Sequence, residues 1–299
     1  MSVDTLDLDY ETASRVDLKS CGLDVYARDP STRPILLSYK LNDEPAQLVD
    51  LWDKPFPKKL RDMMEDPGVR KIAHNAAFEI AISKHCLGIR TDPSQWYCTM
   101  IMALSLGLPA SLEQLVRDAL KLPREFWKDE RGSALMRLFS YANSKATPWS
   151  HPNEWREYGE YCRQDTVAEA KVFKVLRRYI PNLGRLFDEW VLDQKINSRG
   201  LPVDLTFIDQ AQRLAAESKA KYKKIMQEMT GLENPNSTKQ VAKYLQDRGY
   251  PFASTAKNRT MIAKKDFADR LTDEAVELID MRTDSNKTSL AKYAAIKRA

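Results

Sequence analysis

The hydrophobic pattern of the chain opens with period two. Across residues 3–11, Leu6, Leu8 and Tyr10 alternate with Asp7, Asp9 and Glu11, which predicts a half-buried β-strand. Pro34 to Leu41 and Ala46 to Leu51 form two further strand-like runs, separated by the turn-forming Asn42-Asp43-Glu44-Pro45. An antiparallel meander is therefore expected first. The period then changes. A short amphipathic helix is predicted over 57–65, with Pro57 acceptable in its first turn. A buried strand over 69–73, a helix over 76–86 and a short strand over 96–99 follow. Helical stretches cover 100–106 and 111–120, and Ser111 with Gln114 has the spacing of a capping box. Residues 124–153 carry Gly132, two prolines and many polar groups, and read as a partly helical, mobile excursion. A long helix over 154–178 closes at Pro181. Strands, then alternating elements, then a long helix predict an α/β mixed sheet with helices on its faces.

Beyond Pro181 the pattern is almost purely helical. Helices are predicted over 183–198, 205–229, 239–247, 273–281 and 287–299, with stops at Gly200, Pro202 and Gly231 and an N-cap within Asn236-Ser237-Thr238. The expected division is 1–182 for the α/β domain and 183–299 for a smaller all-helical domain. The final helix carries no terminator, so the chain is expected to be a piece of a longer protein.

Composition narrows the chemistry. With 43% apolar residues, 30% charged residues and no run of 18 apolar positions, the chain has a core and no transmembrane segment. It opens without the basic and apolar regions of a signal peptide. Cys21, Cys86, Cys98 and Cys162 form no close pair, which fits a reducing compartment and excludes a zinc framework. Histidines stand only at 74, 85 and 151, so metal chemistry has to rest on carboxylates and hard ions such as magnesium or manganese. The charge is uneven. Residues 191–299 hold 20 Lys and Arg against 14 Asp and Glu, whereas residues 1–190 hold 27 against 28. A basic rear half is compatible with a phosphate-bearing partner.

Three acidic groupings stand out. Asp9-x-Glu11 lies on one face of a strand, so its carboxylates converge. His74-Asn75-Ala76-Ala77-Phe78-Glu79 sets Glu79 in the first turn of a helix after a buried strand. Tyr161-x-x-x-Asp165 puts a phenol and a carboxylate on one helical face. Each alone reads as a solvated or core-edge feature. Together, four acids from a strand, a helix start and a later helix suit a two-metal hydrolytic site, in which two divalent cations about 4 Å apart clamp a phosphodiester.

The order of these motifs resembles the proofreading 3'-5' exonuclease domain of family-A DNA polymerases, within the DnaQ-like, ribonuclease H-like group. The strings Leu8-Asp9-Tyr10-Glu11-Thr12-Ala13-Ser14, His74 to Glu79 and Tyr161-Cys162-Arg163-Gln164-Asp165 look like the phage-type version and its tyrosine branch. The resemblance implies two Mg2+ or Mn2+ ions held by Asp9, Glu11, Glu79 and Asp165, with Tyr161 bonded to the attacking water. Glu79 stands where the wider family usually has Asp, one methylene shorter. Thr12 would meet the terminal nucleotide, Phe78 would stack near the 3' base and Asn75 would bind the scissile region, although Phe78 reads equally well as core and Asn75 as a strand-to-helix tie. Leu112 reads as structural, and Cys98 replaces an outer acid of relatives. Lys128, Arg131 and Lys145 could meet phosphates, the solvated reading being the simpler one.

The rear half also resembles this family. Leu192 to Asp204 looks like the entry into the polymerase portion, and Asn236 to Gln240 with Lys287-Thr288-Ser289 looks like partial thumb. The palm and fingers would lie beyond residue 299, so no polymerase activity is expected of this chain. Lys257, Arg259, Lys264, Lys265 and the basic residues from Lys287 to Arg298 would contact duplex DNA through its backbone, with about half of them expected only to face water. The partners implied are a single-stranded DNA 3' end, duplex DNA on the helical domain and the remainder of a polymerase. A monomer in the cytoplasm of a bacterium or phage-infected cell is expected, without a membrane role. Competing readings are a broader DNA and RNA exonuclease and a non-catalytic DNA-binding module of a replication complex.

Overall fold

The computed structural model describes residues 4–127, 131–141, 144–250, 272–287 and 290–298. It divides into two compact units, residues 1–200 and 201–299. The first contains five strands in the order β3-β2-β1-β4-β5. Strands β1 (Thr5–Ala13), β2 (Arg33–Leu41) and β3 (Gln47–Asp50) form the antiparallel meander that the alternation predicts. Between β1 and β2 lie two short helices, α1 (Leu18–Cys21) and α2 (Leu23–Arg28), which no clear period announces. Asp17 caps α1, and Gly22, at φ +80°, turns the chain between them.

Helix α3 (Lys58–Glu65) leads to β4 (Arg70–Ala73), which pairs parallel with β1. Helix α4 (Ala76–His85) connects β4 to β5 (Trp96–Cys98), parallel to β4. The sheet is therefore mixed, with β1 at its centre. Helix α5 (Thr99–Ser105) follows directly. The helix predicted over 111–120 is one α-helical turn, α6 (Leu112–Gln114), that widens into a π turn over Leu115–Ala119. The widened turn carries the consecutive buried pair Leu115 and Val116. Ser111 accepts the Gln114 N–H as the spacing predicts.

Within the region read as an excursion, α7 (Gly132–Ser140) buries Leu135 and Phe139 beneath the sheet residues Ile35 and Leu36 and the long helix α8 (Pro152–Leu176). Helix α8 starts two residues earlier than predicted because Pro152 is tolerated at its first position. It packs across β1 and β2. Helix α9 (Leu183–Arg199) buries Leu183, Phe187 and Trp190 in the same core as β1 and α4. The sequence pattern draws the domain line at residue 182, whereas the compact units divide after Gly200, since the apolar stripe of α9 is spent on the first core.

The second unit is helical, as its residue pattern predicts: α10 (Leu205–Thr230), α11 (Thr238–Gln246), α12 (Asp273–Ser285) and α13 (Ala291–Arg298). Its core joins Met226 of α10, Val241 and Leu245 of α11, and Leu278 and Met281 of α12. Ser237 supplies the N-cap of α11. Lys128, Lys257, Arg259, Lys264, Lys265, Thr288 and Ser289 lie outside the described residues.

Candidate active site

The site grows from β1. Leu6, Leu8 and Tyr10 face one side, where the Tyr10 hydroxyl lies 3.2 Å from Ser83 Oγ of α4. Asp7, Asp9 and Glu11 face the other, towards α8. A register shift between Glu11 and Thr12 breaks the ladder just past the acidic pair. Such a bulge re-aims side chains at a strand end. Oxygens of Asp9 and Glu11 and the sulfur of Cys162 lie within 4.8 Å of one another.

Helix α8 contributes through a stripe at helical spacing. Tyr158, Cys162, Asp165 and Glu169 recur at four, three and four residues and are all buried, as is Tyr161. Tyr158 donates to Glu11 Oε2 at 2.6 Å and lies 2.9 Å from Ser140 Oγ at the end of α7. The Cys162 thiol sits 3.7 Å from Asp9 Oδ2. Burial, then the charges of Asp9, Glu11 and Asp165, hold that thiol well above its ordinary range, so it acts as a donor to carboxylate rather than as a thiolate. Tyr161 stacks beside Tyr158, with centroids 6.2 Å apart, and its ring lies over Gly132. A Cβ at Gly132 would fall 2.0 Å from that ring, so only glycine fits there.

Helix α4 brings the fourth acid. The backbone leaves β4 through Asn75, at φ +71°, a left-handed conformation that Asn tolerates. That turn sets Glu79 in the first turn of α4. Glu79 is only 3% exposed, and its Oε2 has no hydrogen-bond partner among the described residues. Burial first, then the charge of Asp9, pushes its carboxyl well above the usual range, against the pull of the Glu79 and Tyr10 backbone. An orphaned buried carboxylate oxygen that feels the charges of Asp9 and Glu11, in a cleft that Asp165 also lines, is what a hard cation would satisfy, so the donor set fits magnesium or manganese.

Asp9, Glu11, Glu79, Tyr161 and Asp165 all line one cleft of about 380 Å³, together with Thr12, Asn75 and Phe78. The close ligand-type cluster among the described residues comprises Asp9, Glu11 and Cys162, while Glu79 and Asp165 join Asp9 and Glu11 as lining of the same cleft. Thr12 is tied to the Tyr26 hydroxyl at 2.7 Å, and the Phe78 ring packs 6.2 Å from Tyr26 while still reaching the cleft. Leu112 lines an adjoining hollow with Asp9, Tyr161 and Asp165. Lys145 is exposed, and Arg131 is paired to Glu157 at 3.0 Å. Cys98 is buried at the end of β5.

Sequence reasoning passed over several residues. Arg15 and Lys19 line the cleft from the segment that follows β1. Tyr158 and Glu169 could have been found by continuing the Tyr161 and Asp165 face one turn in each direction. Gly132 carries no local signal for its role, because that role comes from the Tyr161 ring far along the chain.

The model of the 3'-5' exonuclease family matches residues 9–181, from Asp9 to just past the end of α8. The chain belongs to that family. This exonuclease is 33% identical to the DNA polymerase of Bacillus phage SP02 over 307 residues, a match covering 99% of the chain and 46% of the relative. To the DNA polymerase of Mycobacterium phage D29 it is 22% identical, over 93% of the chain and 48% of the relative. The exonuclease thus spans about half the length of the curated relatives it matches. Among solved structures it resembles the POL domain of Pol1 from M. smegmatis in complex with DNA primer-template and dNTP. The TM-score is 0.50 at 14% identity, over 99% of this chain and 46% of that one, a likeness of fold. The mixed sheet with flanking helices is the ribonuclease H-like α/β architecture expected of the exonuclease. No helix among the described residues is long and apolar enough to cross a membrane.

Proposed function

We propose that this chain hydrolyses phosphodiester bonds at DNA 3' ends, one nucleotide at a time, as the proofreading part of a phage-type DNA polymerase. What supports this reading is that Asp9, Glu11, Glu79, Asp165 and Tyr161, drawn from three elements, all line one cleft of a chain of the 3'-5' exonuclease family. Asp9, Glu11, Glu79 and Asp165 would hold two magnesium or manganese ions. When bound, such a pair supplies Lewis-acid stabilisation of the attacking and leaving oxygens. Tyr161 would hold the attacking water, its ring fixed by Gly132 on one side and Tyr158 on the other. Tyr158 restrains Glu11. Thr12 and Asn75 would orient the terminal nucleotide, and Phe78 offers a face on which its base can stack. Arg15 and Lys19 offer salt-sensitive contacts to phosphates further along the strand.

The second unit would grip duplex DNA. Its net basic charge supports this, although Lys287 and Lys297 already pair with Asp284 and Asp209. A monomer acting inside the cell that holds the DNA, joined to the remainder of a polymerase, completes the reading.

The test is a 5'-labelled single strand incubated with the chain and magnesium or manganese. A ladder of 3'-shortened DNA is expected, abolished by chelation, by Asp9→Ala or Asp165→Ala, and by a blocked 3' end. Equal trimming of RNA would redirect the substrate class. Cleavage that persists in Asp9→Ala and Asp165→Ala would refute the reading.

A further inference from the structure

One turn beyond Asp165 on α8 lies a second buried acid, Glu169, 1% exposed. An apolar residue would fill that space without the cost of burying a carboxylate. Its Oε2 accepts the backbone N–H of His74 at 2.8 Å, and its Oε1 has no partner among the described residues. His74 is the last residue before the left-handed Asn75, where the chain leaves β4 for α4. The His74 ring is held as well, Nδ1 at 2.8 Å from Thr99 Oγ1 and Nε2 at 2.7 Å from Ala110 O.

These contacts link two elements that each bring an acid to the cleft. Helix α8 carries Asp165 and Tyr161, and α4 carries Glu79 in the turn that His74 and Asn75 launch. Pairing of β4 ends at Ala73, and the N–H of the next residue, His74, is received by a side chain, Glu169, rather than by a strand. Glu169 receives it from the same helix face as Asp165, four residues away. Any shift of the β4–α4 turn relative to α8 would break this bond and change the spacing across the cleft.

We propose that Glu169 is a positioning residue that fixes the β4–α4 turn to α8, and so sets how Glu79 and Asp165 face each other across the cleft. The proposal rests on the exonuclease reading above. Groups that orient metal ligands from behind typically change affinity or activity by about 10- to 100-fold when removed.

The test compares Glu169→Gln, which still offers a carbonyl to the His74 N–H, with Glu169→Met, which fills the space and accepts nothing. Three readouts are needed: hydrogen exchange at the His74 amide, the manganese concentration for half-maximal binding followed by calorimetry, and single-turnover trimming of a 5'-labelled DNA strand. The Met variant is expected to fold and to lose His74 amide protection. Its manganese midpoint should rise and its trimming rate fall about 10- to 100-fold, with DNA affinity unchanged. The Gln variant should restore most of each. A Met variant with wild-type protection, midpoint and rate would overturn the proposal, as would a Gln variant as impaired as Met. A wild-type chain that binds manganese yet trims nothing would refute the exonuclease reading, while amide exchange and the manganese midpoint would still decide the role of Glu169.

Discussion

Tyr158 and Glu11, 147 positions apart in sequence, share a 2.6 Å hydrogen bond that fastens the long helix to the acidic end of the central strand. Tyr158 is fully buried between α7 and the sheet, while Glu11 is 7% exposed and lines the cleft, so the bond joins the core to the site. The phenol reads Glu11 as an acceptor, and burial with the Glu11 charge keeps it protonated far above its ordinary range.

Tyr158→Phe removes that donor from Glu11 Oε2 and the hydroxyl contact with Ser140 Oγ. Losing one partner of a buried hydrogen bond costs about 1–3 kcal/mol. A fall in unfolding free energy of that size is expected by urea denaturation, together with slower trimming of a DNA 3' end. A variant as stable and active as the wild type would show that the bond contributes nothing.

Glu79→Gln is expected to separate stability from function. Its buried, partly orphaned carboxyl is costly without a cation, so the amide should leave the metal-free melting temperature unchanged or higher. Trimming should drop by at least about 10- to 100-fold, the loss produced even by outer groups of metal sites. Calorimetric unfolding with and without manganese checks both halves: the wild type should gain more from the ion than the variant does.

Gly132→Ala drives a methyl group into the Tyr161 ring at 2.0 Å, so the ring or α7 must move. Overpacking of this kind costs about 1–3 kcal/mol. A misplaced group near the reacting centre can cost about 100-fold in rate. The expectation is a larger loss in turnover than in DNA binding, read by single-turnover kinetics beside a direct binding assay. Equal losses in both would mean that Tyr161 does not act on the reaction.

Lys71 gives a pH prediction away from the cleft. Its side chain is fully buried in β4 and its ammonium donates to Asp66 O at 2.6 Å. Burial lowers its pKa from 10.5 to about 8, against the pull of Asp66. Below pH 8 both folded and unfolded chains hold the proton, and the full cost of burying the charge applies. Between pH 8 and 10.5 the unfolded chain binds more protons, so this group makes stability rise with pH. The gain is on the order of 3 kcal/mol at most, because each tenfold difference in proton affinity between the two states is worth about 1.4 kcal/mol. Lys71→Met should flatten that rise in urea titrations across the same window. An unchanged slope would assign it to other groups.

Much of the site was legible because it rests on local periods. The strand alternation put Asp9 and Glu11 on one face, and helical spacing did the same for Tyr161 and Asp165. The turn after β4 placed Glu79 near a helix start. What escaped was of another kind. The α1 and α2 segment has weak periodicity, so Arg15 and Lys19 went unnoticed at the cleft. Helix α7 has a clear apolar stripe, but the glycine and prolines around it suggested a loose excursion. Helix α9 reads like the helices that follow it, and only its packing of Phe187 and Trp190 against Tyr97 and the first core tells it apart.

The amino-acid sequence by itself determined which side chains leave the backbone on a common face, because bond geometry repeats every two residues in a strand and every 3.6 in a helix. Only the tertiary structure decided which of those faces meet. That Glu11 finds Tyr158, that Glu169 takes the N–H of His74, and that Gly132 gives Tyr161 its room depend on how buried apolar surfaces of distant segments pack together. No local period encodes such a meeting, since burial rewards the total area removed from water and not any one neighbour along the chain.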